Sequence, residues 1–469
     1  MAGRFFKRWP QETVEDEKVS TPVDATTVLS PTEARKSDTL NSAEEGLPDF
    51  VSERVNLHHY LLDRINLAVL DAMDEQELYD ELRPLVREYA KLNDFPLSAK
   101  EMDALIIDIA DEMLGLGPLE ALLKDDTISD ILVVGANRVF IERFGNIEKT
   151  SVKFKDEDHL MRIITKIVAS VGRRVDESSP LVDARLADGS RVNVAIRPVA
   201  VDGPQVSIRK FAKIPYSLEA LVKNNSLRPA MANLLAAAVQ GKISLVISGG
   251  TGSGKTTLLN ALSAYIPEKE RLVTIEDAAE LQIQQPHVVR LETRPPTLDG
   301  RNEVVQRDLV KNALRMRPDR IIVGEVRGSE AFDMLQAMNT GHEGSMTTIH
   351  ANTPRDAISR IEQMVGMAGM PMTQEAIRQQ ISSAIRVIIQ IGRESDGSRR
   401  VSSISEITGM EGDVVQVQDI IRFVRTGVSS EGQVQGEFKA TGIRPHFLEE
   451  IETLGLKIDL SIFDPSNPL

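Results

Sequence analysis

The stretch Ile243-Ser-Leu-Val-Ile-Ser-Gly249-Gly250-Thr251-Gly252-Ser253-Gly254-Lys255-Thr256-Thr257 decides how this chain is read. An apolar run of strand type passes directly into a glycine-rich loop. The loop opens a Leu-rich segment that reads as a helix from Gly254 to Ile266. Small residues at Gly249, Gly250, Gly252 and Gly254 let successive backbone N–H groups point at one phosphate, an approach that side chains would block. Lys255 can reach β- and γ-phosphate oxygens as a point charge, and the Thr256 hydroxyl is placed to ligate Mg²⁺. The positive end of the helix lies beneath them. With Thr251, Ser253 and Thr257 these residues form the expected nucleotide-phosphate site. A flexible loop that binds nothing is the plain alternative, and the order strand, loop, helix argues against it.

Outward from the loop, strands are expected at 243–248, 271–276, 287–292, 320–325, 345–350 and 386–392, alternating mainly with helical patterns. Such alternation implies a largely parallel sheet covered by helices. Ser329 is expected to open a helix closed by Gly341, and Thr353-Pro354 another closed by Gly366. A terminal β-ribbon over 414–424 and 433–443 precedes a last helix near 445–454. Upstream, β-type runs at 130–135, 138–143, 191–196 and 205–211, with a helix near 159–171, read as a mixed α/β N-terminal domain over 125–211. Asp188-Gly189 supplies a turn signal there. Residues 212–227, with Pro215, Asn224 and Asn225, read as a linker to the domain at 228–469. Leu61, Leu62 and Ile65, then Met102, Leu105, Ile106 and Ile109, give a small helical module over 53–124 that Gly115, Gly117 and Pro118 end. The first 52 residues, rich in Ser, Thr, Pro and acids, read as a disordered tail.

The whole chain sets bounds. At ~150 residues per domain, 469 residues suggest about three modules. A formal charge of −15 argues against a general nucleic-acid coat, because phosphate neutralisation needs clustered Lys and Arg. Zero cysteines exclude disulfides and Cys-ligated zinc or iron–sulfur sites. The longest apolar runs, such as Ala104 to Ala110, fall far short of a membrane span, and no secretory signal follows Met1 to Pro10. No transmembrane segment is expected, and a cytoplasmic protein is the simplest reading.

Three further clusters carry chemistry. Arg320-Ile-Ile-Val-Gly-Glu325-Val-Arg-Gly328 is an apolar strand ending in a carboxylate, the pattern that holds a Mg²⁺ shell or orients water. Leu272-Val-Thr-Ile-Glu276-Asp277 ends in acids one helix after the loop. Glu276 leads as the residue polarising the lytic water and Glu325 follows, with their roles exchangeable. Gly341-His342-Glu-Gly-Ser-Met-Thr-Thr-Ile-His350 holds two of the seven histidines. A neutral imidazole at His350 can contact a γ-phosphate or its water, and no third ordered ligand accompanies the pair to suggest zinc. Arg185, Arg191, Arg197 and Arg209 form a basic cluster in the N-terminal domain. An arginine brought in from another domain or subunit accelerates phosphoryl transfer by ~10³ to 10⁵, whereas Arg197 reads as a surface residue.

Together these motifs resemble the type II/IV secretion ATPase superfamily, and specifically the CpaF/TadA-like motors of tight-adherence (Tad) pilus systems. The resemblance is carried by Gly249 to Thr257, Thr274 to Asp277, the Walker B segment Arg320 to Gly328, and Gly341 to Ala351. Asp183 to Asn193 and Val206 to Lys210 add to it upstream. It implies an α/β fold: a RecA-like P-loop ATPase domain preceded by a mixed α/β N-terminal domain and a small helical module. It also implies ATP and Mg²⁺ as cofactors, Mg²⁺ held by Thr256 and Glu325, and hydrolysis served by Lys255, Glu276 and Glu325. His350 would sense the reaction, and Arg191 and Arg209 would approach from the N-terminal domain. Arg185 and His342 are counted with the nucleotide-binding residues. The expected assembly is a homo-oligomer, usually a hexamer, peripheral at the inner membrane through platform proteins of a pilus or secretion system. A nucleic-acid translocase and a nonenzymatic, nucleotide-gated assembly factor are the competing readings.

Overall fold

Alternating burial builds one sheet of this protein and unbroken apolar runs build the other. In a computed structural model of the chain, residues 57, 60, 61, 64, 75–93, 97–113, 115–143, 145–211, 216–296 and 301–467 are described. The tail expected over 1–52, most of positions 53–74 of the helical module and positions 212–215 of the linker lie outside them. The chain divides into two compact units at Ile65. In the first, Leu57, Tyr60 and Leu61 are helical, and the Arg64 guanidinium stands 3.8 Å from the centre of the Tyr60 ring.

The second unit begins with helices α1 (Glu75–Leu92), α2 (Ala99–Met113) and α3 (Glu120–Lys124). A six-stranded antiparallel sheet follows: β1 (Ile128–Val134), β2 (Val139–Arg143), β3 (Asn146–Lys149), then helix α4 (Glu157–Ser170), β4 (Leu181–Arg185), β5 (Arg191–Ala195) and β6 (Gln205–Arg209). The strands lie in the order β3-β2-β1-β6-β5-β4. Ile128, Ile131 and Val133 of β1 face a core shared with Leu160, Ile163, Ile164, Ile167 and Val168 of α4, which recur at helical spacing. Asp156 caps α4 by accepting from His159 N–H at 2.7 Å. Strands β3 and β4 carry no apolar stripe that sequence reasoning could see. β3 is exposed throughout, and β4 exists by pairing with β5 across the Asp188-Gly189 turn, where Gly189 takes φ +92°.

The larger sheet starts with α5 (Leu218–Lys223) and α6 (Pro229–Gln240). Leu218 and Leu221 of α5 are buried in its core, so the segment read as linker carries a packed helix. Then come β7 (Leu245–Gly249), α7 (Lys255–Ser263), β8 (Leu272–Glu276), β9 (Val288–Glu292), α8 (Gln306–Ala313), β10 (Arg320–Val326), α9 (Glu330–Asn339), β11 (Met346–Ile349), α10 (Pro354–Gly366), α11 (Gln374–Ala384), β12 (Val387–Arg393), β13 (Arg399–Glu411), β14 (Val414–Val428), β15 (Val434–Ala440) and α12 (Phe447–Thr453). The spatial order is β15-β14-β13-β12-β7-β11-β10-β8-β9. From β12 to β9 all neighbours pair in parallel, and β13 to β15 extend the sheet antiparallel. Central strands are buried on both faces: Leu245, Ile247 and Leu272 join one core, Val246, Val273 and Ile275 the other. The expected α/β architecture is the one observed. Thr353 caps α10 as anticipated, but Ser329 makes no cap bond. Glu330 at the start of α9 turns back to the preceding loop instead, accepting from the N–H groups of Arg327 (2.6 Å) and Gly328 (2.7 Å). Among the described residues no helix is long and apolar enough to cross a membrane.

Candidate nucleotide site

Parallel pairing places the carboxyl ends of β7, β8, β10 and β11 on one edge of the sheet, where open α/β sheets take their ligands. At the end of β7 the chain has no room for a side chain. A Cβ on Gly249 would stand 2.4 Å from the Ile391 carbonyl oxygen and 2.6 Å from Ser253 Oγ. Gly252 (φ +67°) and Gly254 (φ +97°) are left-handed, which turns the loop into the start of α7. Lys255 folds back over the loop, donating from Nζ to the carbonyls of Gly249 (3.0 Å) and Gly250 (2.9 Å). Burial lowers its pKa, Glu325 opposes that shift and Arg327 adds to it. Ser253 Oγ donates to Gly250 O at 2.9 Å and stiffens the turn. Thr251 is exposed, and Thr256 and Thr257 in the first turn of α7 are half-buried. This cradle fits a triphosphate and its Mg²⁺: a lysine, a free Thr256 hydroxyl and glycines that a Cβ would fill.

The two carboxylates sit on neighbouring strands of the same edge in different environments. Glu276 is 3% exposed. Its Oε1 accepts from the N–H groups of Glu280 (2.9 Å) and Leu281 (2.8 Å), while Oε2 is buried with no partner. Burial pushes its carboxyl up to about 7, against the pull of those two N–H groups and of Arg290. It fits there because residue 324 is glycine: a Cβ would stand 2.9 Å from Glu276 Cγ. Glu325 is held instead by Arg327, whose Nη2 donates to its Oε2 at 2.6 Å and whose Nη1 lies 3.1 Å from Asp277 Oδ2. Burial works against the Arg327 charge, and the hydrogen bond and charge of Glu325, with Asp277 and Glu280, outweigh it and raise its pKa. Sequence reasoning passed over Arg327 although it stands inside the Walker B segment, because its role depends on two acids from different strands.

The histidines part company. His350 follows β11 at the same edge as Gly249. His342 precedes that strand and sits at the opposite end of the sheet, roughly 13 Å away along the strand, with Nδ1 3.3 Å from the Ala337 carbonyl at the end of α9. The fold does not bring His342 to the phosphate loop of its own chain.

Arg185, Arg191 and Arg209 of the N-terminal sheet line a cavity of about 1180 Å³ between the two sheets, together with Asp277, Glu292 and Arg327. Each engages acids rather than the loop. Arg185 pairs with Glu292 (3.0 Å) and donates to Ala279 O (2.9 Å), Arg191 pairs with Glu280 (2.9 Å), and Arg209 with Asp130 (3.2 Å). Arg191 is therefore linked through Glu280 to Glu276, whereas Arg209 stays within its own sheet. Arg197 is 3.9 Å from Glu157 and mostly exposed, as its surface reading expected. Two arginines that the sequence did not single out, Arg393 and Arg399, lie against the phosphate loop, and Arg399 Nε donates to Gly252 O at 2.8 Å.

The family described as "Type II/IV secretion system protein" matches residues 112–432. A putative conjugal transfer protein of Mycobacterium tuberculosis is 38% identical over 312 residues, 65% of this chain and 88% of its own length. The type IV secretion system protein VirB11 of Bartonella quintana is 33% identical over 332 residues, 62% of this chain and 91% of its own. Among solved structures, the VirB11 ATPase of the Brucella suis type IV secretion system, in complex with sulphate, is 30% identical with a TM-score of 0.34. It covers 62% of this chain and 95% of its own.

Proposed function

The chain belongs to the type II/IV secretion system protein family, and from that premise we propose that it is an ATP-hydrolysing motor of a secretion or pilus machine. The observation that carries this reading is Glu276: a buried carboxylate held near neutrality, with one oxygen unpartnered, on the strand edge that also bears the phosphate loop. A general base operates best with its pKa near the working pH. When bound, Mg·ATP supplies the phosphoanhydride to be cleaved and the cation that neutralises charge on it.

In this scheme Lys255 exchanges the carbonyls of Gly249 and Gly250 for phosphate oxygens, a stronger bond because donor and acceptor are both charged. The N–H groups of Gly250 to Thr256 hold the anion, Thr256 and Glu325 hold the cation, and Glu276 takes up the proton of the attacking water at Oε2. His350, at the end of β11, contacts the same region and registers whether the terminal phosphate is present. Arg185 and Arg191 connect the N-terminal sheet to Glu292 and Glu280, which gives turnover a route to domain movement. We take the assembly to be a hexameric ring, cytoplasmic and attached to the inner membrane through platform proteins. A Tad-type pilus is the machine we assign it to, on the resemblance of the motifs.

Lys255→Ala should weaken Mg·ATP binding by about 10- to 100-fold, as expected for losing one charged hydrogen bond, and abolish turnover while the melting curve stays unchanged. Wild-type hydrolysis in that variant would refute the site. The same substitution in cells, followed by scoring which surface polymer or secreted protein disappears, tests the pilus assignment. The name of the mycobacterial relative favours a second reading, a motor serving DNA transfer. DNA-stimulated turnover that falls with salt would support it.

A further inference from the structure

Strands β12 and β13 are joined by residues 394–398, and Arg393 and Arg399 stand directly opposite each other where that turn begins and ends. Like charges in directly opposed positions repel, and here acceptors take both guanidinium groups. Both reach the same two places. Arg399 donates to Gly252 O in the phosphate loop (2.8 Å) and its Nη2 lies 3.6 Å from Glu142 Oε1 on β2. Arg393 donates through Nη2 to the carbonyl of Gly145 in the β2–β3 turn, and its Nη1 is 3.7 Å from where a Cβ on Gly252 would stand.

The arm that carries them is firm. Asp396 accepts from Ser398 N–H (2.9 Å), Ser398 Oγ–H (2.6 Å) and Val434 N–H (2.7 Å), which ties the turn to β15. Burial disfavours the charge on Asp396, and these bonds overcome it and hold its carboxyl at about 2. β12 also runs in parallel register with β7, Ile391 beside Gly249, which fastens the arm to the strand that leads into the loop.

We propose that Arg393 and Arg399 are positioning residues forming a strut between the phosphate loop and the β2–β3 turn of the N-terminal sheet, and that the triphosphate tail of a bound nucleotide releases it by drawing away their guanidinium groups. The proposal rests on the nucleotide reading given above. A ligand shifts a conformational balance only through differential contacts, and here they are explicit. A polyanion is a stronger acceptor for a planar guanidinium fork than the carbonyls of Gly252 and Gly145. The guanidinium groups already touch the loop that would hold it.

The chain contains no cysteine, so labels can be placed cleanly. Val201→Cys and Val414→Cys, at positions 79% and 59% exposed, put one spin label on each sheet's domain. Doubly labelled chain diluted into unlabelled chain is measured by pulsed dipolar spectroscopy, with and without Mg²⁺ and a nonhydrolysable ATP analogue. A narrow distance is expected without the analogue, and with the analogue it should shift and broaden. With Arg393→Ala and Arg399→Ala together the distance should be broad from the start and unmoved by the analogue. Affinity for a fluorescent analogue should change by about fivefold or less, since both groups are solvent-accessible. Arg399→Lys keeps the charge but cannot bridge two acceptors, and should fall between. An analogue-induced shift in the double variant equal to that of the parent chain would overturn the strut, as would a parent chain that binds analogue with no change in distance. A parent chain that binds no analogue at all would overturn the nucleotide reading, and the strut with it.

Discussion

Glu276→Gln sets stability against catalysis in a way that the structure quantifies. The Glu276 carboxyl titrates at 4.5 in an ordinary setting and at about 7 in the folded chain, because burial disfavours its charge. A carboxylate raised in this way supports the fold fully below pH 4.5, and that support is lost as pH rises to 7, because the unfolded chain releases the proton first. Over the whole window a shift of about 2.5 units corresponds to roughly 3 kcal/mol; between pH 5 and pH 8 about 2.5 kcal/mol of it is lost. Glutamine keeps an oxygen for the N–H groups of Glu280 and Leu281 but has no proton to lose. Its amide nitrogen would occupy the unpartnered Oε2 position, at a constant penalty of ~1–3 kcal/mol at every pH. Melting temperatures of wild type and variant, taken in parallel at pH 5, 6, 7 and 8, should therefore converge or cross as pH rises, with the variant gaining about 2.5 kcal/mol relative to wild type. Turnover should fall by ~10² to 10⁴ in the variant, and wild-type turnover should decline tenfold per pH unit below about 7. Melting profiles that stay parallel would show that Glu276 is not the buried, near-neutral group described, and the argument for it as the base would fall.

Other expectations follow from the same geometry. Gly324→Ala puts a Cβ 2.9 Å from Glu276 Cγ and should cost about 1–3 kcal/mol of stability while depressing turnover more than nucleotide affinity, read by denaturant melts beside steady-state kinetics. Arg320 is fully buried, paired to Glu270 at 2.5 and 3.0 Å and bonded to Val239 O, so Arg320→Leu should destabilise by about 3–5 kcal/mol by leaving buried Glu270 only the more distant Lys242 at 3.9 Å, read as a lowered denaturation midpoint. His350→Ala should reduce turnover, whereas His342→Ala should leave nucleotide affinity within about twofold of wild type in a fluorescent-analogue titration, since His342 stands at the far end of β11.

The difference between those histidines shows what the sequence carries and what it does not. The phosphate loop was legible because its chemistry is local: strand, glycines, lysine and helix follow one another in fifteen residues. Glu276 and Glu325 were legible as acids at strand ends, and parallel pairing brings those ends together. His342 and His350 are eight residues apart, yet a strand lies between them and carries them to opposite edges. Motif proximity in a strand is a poor guide to proximity in space. The reverse error hid Arg393 and Arg399. Strand β13, which begins at Arg399, was missed because its buried faces include Ser403, Ser405 and Glu406. Those residues tolerate burial only through distant partners: Ser405 donates to Asp419, and Glu406 accepts from the N–H groups of His446 and Phe447. Apolar periodicity cannot register a strand whose polar positions are satisfied from elsewhere. Without that strand no hairpin, and so no pair of opposed arginines, could be read beside the loop. The N-terminal arginines show a third case, in which residue type is visible and partner is not. Arg191 and Arg209 look equivalent as β-strand arginines, but only Arg191 crosses to the second sheet. There Glu280, which also gives its N–H to Glu276, joins the domain that would move to the carboxylate that would take the proton.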